Sequence, residues 1–151
     1  MAKYLEITVD KFAFRVATDR LYTAEGVWVL PEEDGKRVRV GMADYLQQHS
    51  GDVAFANVKP VRTRVVAGAV LAEIETIKAM VELHAPVSGA IVLVNEELSA
   101  GPEAINQSPY ESGWLAVLEP EAWWTDRPNL LGPAAYFAFM RTQVEKDLKR
   151  A

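Results

Sequence analysis

Lys78 is the residue of this sequence whose position is best suited to chemistry. It lies in a break at residues 76–79, between two segments in which apolar and charged residues alternate. Such a break between two strands predicts a β-hairpin with Lys78 in its loop. An amine that an enzyme must reach and acylate has to be held away from the core, and a hairpin tip provides that geometry. Lys78 is therefore a candidate attachment point for a prosthetic group. The simpler interpretation is one exposed lysine among several.

The alternation around Lys78 assigns its neighbours to two faces. Glu73 and Glu75 precede the break on the solvent side, and Glu82 and His84 follow it on the same side. The apolar face is formed by Val70, Ala72, Ile74, Val81, Leu83 and Ala85. Glu75 and Glu82 thus give the tip an acidic, solvated face on which a modifying enzyme can dock.

Other kinds of chemistry find little support. His49 and His84 have no partnering ligand at a recognised spacing, which argues against a metal site. Ser88 lacks the G-x-S-x-G elbow of a nucleophile and is interpreted as a turn residue. No phosphate-binding glycine motif occurs. The paired carboxylates at 32–33, 73/75 and 96–97 are explained as well by solvated turns and strand faces as by acid–base catalysis.

Composition limits the class of protein. The 151 residues, half of them apolar, suffice for one well-packed domain. A net charge of -5 argues against a nucleic-acid partner. Without cysteine the chain has no disulfide, thiolate metal site or catalytic thiol. No secretory signal is evident, and the longest uncharged stretches fall short of the roughly 18 residues that cross a bilayer. We expect a cytoplasmic protein without a membrane partner.

Short strands must position the hairpin. Alternation predicts strands at 6–9, 12–16, 26–30 and 37–40, with a turn at 31–35. Met42, Tyr45 and Leu46 share one face of a short helix that ends before Gly51. A strand at 52–57 places Val53 and Phe55 on one side. Further strands are expected within 64–75, at 90–94 and at 114–118, with a short helix near residues 102–105.

The C-terminal part differs from the rest. Residues 133–151 form an amphipathic helix with one apolar stripe, made by Phe137, Met140, Val144 and Leu148. Glu145 and Lys149 are a supporting pair on its exposed side. The Trp123–Trp124 segment is expected to pack the helix onto the barrel. We divide the chain into an N-terminal strand extension (1–19), a carrier domain (20–120) and a Trp-rich segment with the helix on the same domain (121–151).

The sequence around Lys78 resembles the lipoylation segment of the glycine cleavage system H protein and its relatives. The matching residues are ETIKA at 75–79 and ELHAPVSG at 82–89. In that family a glutamate three residues before the lysine, a small residue after it and a Pro-x-Ser-Gly turn recur together. Shorter matches at 22–23, 28–29, 40–45, 51–53, 94–96, 106, 109–110 and 113–114 extend the resemblance over about residues 20–118.

The resemblance implies a mainly β, barrel-sandwich hybrid fold of the lipoyl/biotinyl hammerhead type, with short flanking helices and a C-terminal helix. It implies that lipoic acid is attached to Lys78 in amide linkage and that the neighbouring residues Glu75, Thr76, Ile77 and Ala79 support the modified lysine. It also implies that the protein itself has no catalytic activity. The implied partners are a lipoate-protein ligase and dihydrolipoamide dehydrogenase.

Several departures from the glycine-cleavage pattern favour a second branch of the H-protein family. EGVW stands at 25–28 where His-Glu-Trp is usual, His84-Ala85 replaces Tyr-Ser, and Thr76 replaces serine. The extension before Tyr22 and the Trp-rich tail are also unusual. On these grounds the chain resembles more closely the lipoate-binding proteins of heterodisulfide-reductase-like sulfur oxidation. Its partner would then be that complex, and the arm would carry sulfur and electrons. A glycine cleavage H protein carrying aminomethyl groups is the alternative.

Two further alternatives come from other classes of protein. A biotin carrier shares the hairpin-lysine plan, but Ile77 and Ala79 stand where methionines are usual. An unmodified interaction protein would keep the fold without the cofactor. His84 is interpreted as an exposed strand histidine, with tuning of the dithiol or a docking contact as the alternative.

Overall fold

The structure is a computed structural model that describes residues 3–150, with only the backbone of Arg150. Met1, Ala2 and Ala151, which the predicted first segment and C-terminal helix include, lie outside the described residues. The strands are Tyr4–Val9 (β1), Phe12–Ala17 (β2), Leu21–Tyr22 (β3), Val27–Glu32 (β4), Arg37–Met42 (β5), Val53–Val58 (β6), Arg64–Val65 (β7), Val70–Thr76 (β8), Met80–His84 (β9), Gly89–Val94 (β10) and Ala116–Pro120 (β11). The α-helices are Asp44–Ser50 (α1), Ala104–Gln107 (α2), Trp123–Asp126 (α3) and Pro133–Arg150 (α4).

Antiparallel sheets form the body of the protein. Six strands pair in the order β3-β4-β5-β11-β10-β7, and three more pair in the order β6-β8-β9. These two sheets share one apolar core, to which Val40 and Leu118 contribute from the first sheet and Ile74 and Leu83 from the second. Strands that alternate apolar and polar residues bury one face in this way. The predicted mainly β, barrel-sandwich fold is confirmed.

The three-stranded sheet carries the hairpin, and its register explains which side chains are buried. Ala56, Ile74 and Val81 lie side by side on the core face of β6, β8 and β9. One prediction for this sheet was wrong, because Val53 is buried whereas Phe55 is 61% exposed. The pairing of β6 with β8 shifts register between these two residues, so an extra residue turns Phe55 outward.

Other predicted boundaries move by a few residues. Met42 ends strand β5 instead of opening the helix, and Pro31 and Glu32 belong to β4 instead of the turn. The run from 64 to 75 is two strands, since a turn at 66–69 separates β7 from β8. The last strand begins at Ala116.

Helix α4 packs on the sheets through a second apolar cluster. Tyr136, Met140 and Val144 are buried, and the Tyr136 ring stacks on Tyr22 of β3 with centroids 4.4 Å apart. Phe137 and Leu148 of the predicted stripe are only partly buried. On the exposed side Glu145 pairs with Arg141 rather than with Lys149, at 3.7 Å.

The tryptophan pair does not hold α4 in place, contrary to the prediction. Trp123 is buried in the barrel core, where its ring covers Gly35 in the turn before β5. Trp124 is 68% exposed. The aromatic contact between Tyr22 and Tyr136 takes the role that we expected of the tryptophans.

The two-stranded sheet β1-β2 lies beside α1 and α4. The Arg15 amide of β2 donates to Asp44 Oδ2 at the start of α1, at 2.9 Å. Tyr45 of α1 in turn donates its hydroxyl to Asp147 Oδ2 of α4, at 2.5 Å. These bonds hold α1 between the N-terminal hairpin and the C-terminal helix. No helix within residues 3–150 is long and apolar enough to cross a membrane.

Candidate functional site

The turn that carries Lys78 is closed by Thr76. The Thr76 amide donates to the Ala79 carbonyl at 2.9 Å. The Thr76 hydroxyl accepts from the amides of Lys78 and Ala79, at 3.2 and 3.1 Å. Because Thr76 itself is buried, its side chain fixes the backbone of the tip from below. The lysine backbone therefore has little freedom even though its side chain is exposed.

A hydrogen bond to the segment just before strand β6 also fixes the hairpin tip. The Ile77 amide donates to the carbonyl of Asp52, just before β6, at 3.0 Å. The Ile77 side chain is 75% exposed. This bond anchors the loop at its outermost point, so the hairpin tip forms a fixed platform.

The Lys78 side chain reaches the end of helix α1. Its Nζ donates to the His49 carbonyl at 3.1 Å. Carbonyls at the C-terminus of a helix attract cations, so this acceptor suits an amine. The side chain crosses Gly51, where an added Cβ would lie 3.2 Å from Lys78 Cε. Gly51 also has a φ of 95°, which favours glycine for a second reason.

The outer face of the hairpin is apolar in the middle and acidic at the side. Glu75 lies between Phe55 of β6 and Met80 of β9, both exposed. Two pairs further along, and therefore on the same face, Glu73 lies directly opposite Glu82. Like charges directly opposite each other destabilise a sheet. The acidic face therefore does not serve the stability of the hairpin and is available to a partner.

His84 ends strand β9 in contact with Glu25 of the β3–β4 turn. The His84 amide donates to Glu25 Oε1 at 3.0 Å, and His84 Nδ1 lies 2.6 Å from Glu25 Oε2. Both side chains are part-exposed. The exposed strand histidine of the sequence prediction thus has a specific carboxylate partner.

The structure brings together residues that are far apart in the chain. Thr76, Ile77, Lys78 and Ala79 form the turn as predicted by position, and Glu75 lies on the adjacent outer face. The sequence pattern did not indicate that the hairpin around Lys78 is in contact with His49, Gly51, Asp52 and Glu25. A glycine directly after a short helix was a signal for Gly51, but nothing in the pattern connected it to Lys78.

Other candidate chemistry gains no support. Within residues 3–150 no group of three or more His, Asp or Glu side chains could hold a metal ion. The Ser88 hydroxyl accepts from the Ala67 amide at 2.9 Å, a turn contact.

We expect Thr76→Val to slow the acylation that the resemblance implies for Lys78 about tenfold. Valine has nearly the same shape but removes the acceptor of two turn amides, and each lost hydrogen bond costs about 1 kcal/mol of local stability. The measurement is the rate of lipoate transfer by a lipoate-protein ligase, followed by intact mass. Thr76→Ser keeps the hydroxyl and is the matched control. Equal rates for valine and serine variants would contradict the role of the hydroxyl.

The structure combines a barrel-sandwich fold with an exposed lysine on a fixed hairpin tip, the plan of a carrier protein that holds a prosthetic group. A model of the family described as "Glycine cleavage H-protein" matches residues 20–143. The chain is 40% identical over 129 residues to the probable glycine cleavage system H protein of Pyrococcus furiosus, covering 85% of this chain and 95% of that protein.

Two further comparisons agree. The glycine cleavage system H protein of Deinococcus radiodurans is 41% identical over 121 residues, covering 80% of this chain and 93% of that protein. The crystal structure of a glycine cleavage system H protein from Mycobacterium marinum has a TM-score of 0.71 and 33% identity, covering 79% and 94% of the two chains. The chain belongs to the glycine cleavage H-protein family. This family carries lipoic acid and its members are not enzymes.

The match also revises the expected extent of the resemblance. It continues past residue 118 to residue 143, so the Trp-rich segment and the first half of α4 are part of the family pattern. They are therefore no argument for a different branch. The sheet β1-β2 precedes the matched residues. The division of the chain at residues 19 and 120 stays a prediction.

Proposed function

We propose that Lys78 carries lipoic acid in amide linkage and that the chain is the lipoyl carrier of a glycine cleavage system, passing aminomethyl groups between enzymes. The observation that carries the proposal is the exposed Lys78 on a hairpin tip fixed by the Thr76 hydroxyl and by the Asp52 carbonyl. A carrier needs an anchor of this kind, because the arm must move while its attachment point does not.

The residues around Lys78 fit an acylated lysine. An amide at Nζ keeps one N–H, which can still donate to the His49 carbonyl. Gly51 leaves the side chain room to cross the end of α1. The chain has no cysteine, so a reduced dithiol meets no protein thiol on its own carrier. When bound, the lipoyl group supplies a dithiolane that carries electrons and transferred groups, while the protein supplies the mount.

The proposed partners share one docking area. A lipoate-protein ligase and dihydrolipoamide dehydrogenase must both reach the same arm, and tethering raises its effective concentration at each of them. The outer face with Phe55, Met80 and Glu75 surrounds the attachment point and is exposed. A cytoplasmic location is part of this proposal.

The relatives favour glycine cleavage over sulfur oxidation. Those reported above are named as glycine cleavage system H proteins, although this chain shows departures at Glu25, Thr76 and His84. Heterodisulfide-reductase-like sulfur oxidation, with that complex as partner, stays a finer prediction that none of these relatives supports. The family's lipoic acid likewise favours the lipoyl interpretation over a biotin carrier.

The test is glycine–bicarbonate exchange by glycine decarboxylase with the lipoylated protein. We expect exchange about tenfold or more above the background with Lys78→Arg, because that variant has no attachment point and tethering raises the effective concentration of the dithiolane by orders of magnitude. A fully lipoylated protein that supports no exchange would contradict the glycine branch and return the sulfur-oxidation complex to consideration.

A further inference from the structure

The two outer edges of the N-terminal sheet β1-β2 differ in their hydrogen bonds. Side chains cap the edge of β2. The Arg15 amide donates to Asp44 Oδ2 at 2.9 Å, and the Arg15 carbonyl accepts from the Tyr110 hydroxyl at 2.7 Å. Gln48 Nε2 donates to the Ala13 carbonyl at 2.9 Å. Within residues 3–150, β1 pairs with β2 alone, and no hydrogen bond from another segment reaches its outer edge.

The caps on β2 show which backbone groups β1 leaves open. In an antiparallel pair, residues directly opposite each other alternate between pairs that exchange hydrogen bonds and pairs whose amides and carbonyls point outward. Arg15 is bonded to Asp44 and Tyr110, so both of its backbone groups point away from β1. Its partner on β1 is Glu6. The Glu6 amide and carbonyl therefore point outward as well.

The same alternation opens three residues of β1, namely Tyr4, Glu6 and Thr8. The intervening positions bond to β2, and in agreement with this the Thr18 amide donates to the Lys3 carbonyl at 2.8 Å. Glu6 and Thr8 are exposed, and Tyr4 is partly buried. An edge strand with open amides and carbonyls is a template on which a further strand can pair.

The two faces of β1 determine which side chains an added strand would meet. Leu5, Ile7 and Val9 on one face pack against the apolar cluster that includes residues of α4. The other face has Glu6 at its centre, with Arg15 Nε 3.5 Å from the carboxylate and both side chains about half exposed. An added strand thus continues an apolar face on one side and lies beside a carboxylate on the other.

A second copy of the chain fits this edge poorly. Two β1 strands that are related by a two-fold axis and use all three open residues place their Glu6 carboxylates directly opposite each other. Like charges at opposite positions destabilise a sheet, whereas opposite charges stabilise it. The net charge of -5 adds repulsion between two copies. A strand with a basic residue at the central position is complementary in charge to this edge.

We propose that β1 is a docking edge for an extended segment of a partner protein that carries a lysine or arginine opposite Glu6 and apolar residues on either side of it. The backbone of the segment bonds to Tyr4, Glu6 and Thr8, and its apolar side chains continue the face that packs on α4. Sheet β1-β2 precedes the family match at 20–143, so this surface goes beyond the proposed function and does not depend on a lipoyl arm.

The experiment is an NMR titration of the isotope-labelled full-length protein with two end-blocked peptides, Thr-Val-Lys-Val-Thr and Thr-Val-Glu-Val-Thr. The lysine peptide should shift the amide signals of Tyr4, Glu6 and Thr8 and slow their exchange with solvent. The amides of Leu5 and Ile7 point toward β2 and should change less. The glutamate peptide should bind roughly two- to fivefold more weakly, as expected for the loss of an exposed ion pair.

Thr8→Pro and Glu6→Gln separate the backbone contribution from the charge. The Thr8 amide points away from β2, so proline removes an edge donor without removing a bond between β1 and β2. We expect Thr8→Pro to weaken binding of the lysine peptide about fivefold, the effect of one hydrogen bond. Thr8→Val keeps the amide and is the matched control, which should bind normally. Glu6→Gln should remove the preference between the two peptides.

Four results would overturn the proposal. They are no shift at Tyr4, Glu6 and Thr8 with either peptide, shifts confined to other parts of the chain, equal binding of both peptides, and shifts at the three amides that grow with protein concentration when no peptide is present. The last result would assign the edge to a second copy of the chain. None of these measurements involves acylation of Lys78, so a failure here leaves the proposed function intact.

Discussion

Replacing Lys78 with arginine should abolish lipoate attachment completely and leave the fold unchanged. The side chain is exposed, and a guanidinium can still donate to the His49 carbonyl. Arginine remains protonated and does not act as an acyl acceptor. The measurement is intact mass after incubation with a lipoate-protein ligase and lipoate, with circular dichroism to follow the fold.

The matched control is Lys59→Arg, which changes another exposed lysine of the described chain. That variant should gain the mass of one lipoyl group like the unsubstituted protein. If Lys78→Arg still gains one lipoyl group, the attachment point lies elsewhere and the assignment of the hairpin is wrong. If both variants fail to gain mass, the ligase does not recognise this protein.

The protein should unfold cooperatively as the pH rises from 10 to 12. Tyr22, Tyr110 and Tyr136 are buried in the cluster that holds α4 and the N-terminal hairpin. Burial raises the pKa of Tyr110 to about 12, and it raises the pKa of Tyr22 and Tyr136 as well. In the unfolded chain a tyrosine has a pKa of about 10. Above that pH the unfolded chain releases protons that the folded protein retains.

The free energy of unfolding therefore decreases as the pH rises. The stability is fully present below pH 10 and is lost as the pH approaches the folded-state values, at about 1.4 kcal/mol per pH unit for each tyrosine. Three such residues together reach the order of 5–15 kcal/mol that a domain has in total. The measurement is an alkaline titration that follows tyrosinate absorbance and circular dichroism together.

Tyr136→Phe offers a control for the alkaline transition. It removes one phenol and keeps a ring to stack on Tyr22, so the midpoint should move to higher pH. Ionisation of these tyrosines near pH 10 with a native circular dichroism spectrum would contradict their raised pKa values.

The hairpin could be predicted from the sequence because its signal is local. Apolar residues at every second position from Val70 to Ala85 indicate the two strands, and the interruption indicates the turn. The bulge that exposes Phe55 could not be predicted, since it is a property of the pairing between β6 and β8. The contacts of Trp123 and Tyr136 also escaped prediction, because both residues are apolar in character and the pattern does not say which neighbour each will find.

The site was predicted only as far as it is continuous in the chain. Lys78 and the residues of its turn are neighbours in sequence, so the motif contains them all. His49 contacts Lys78 across 29 residues, and Glu25 contacts His84 across 59. Such partners are set by how α1 and the β3–β4 turn pack on the hairpin. The departures at Glu25 and His84 were visible as separate substitutions, but only the structure shows that they form one pair.

Lipoylation of Lys78 is tested most simply by the intact mass of the protein purified from its native host, followed by peptide mapping of residue 78. We expect a mass increase equal to one lipoyl amide, located on Lys78. An unmodified Lys78 in cells that contain lipoate would contradict it, and would mean that the protein acts through its surfaces alone.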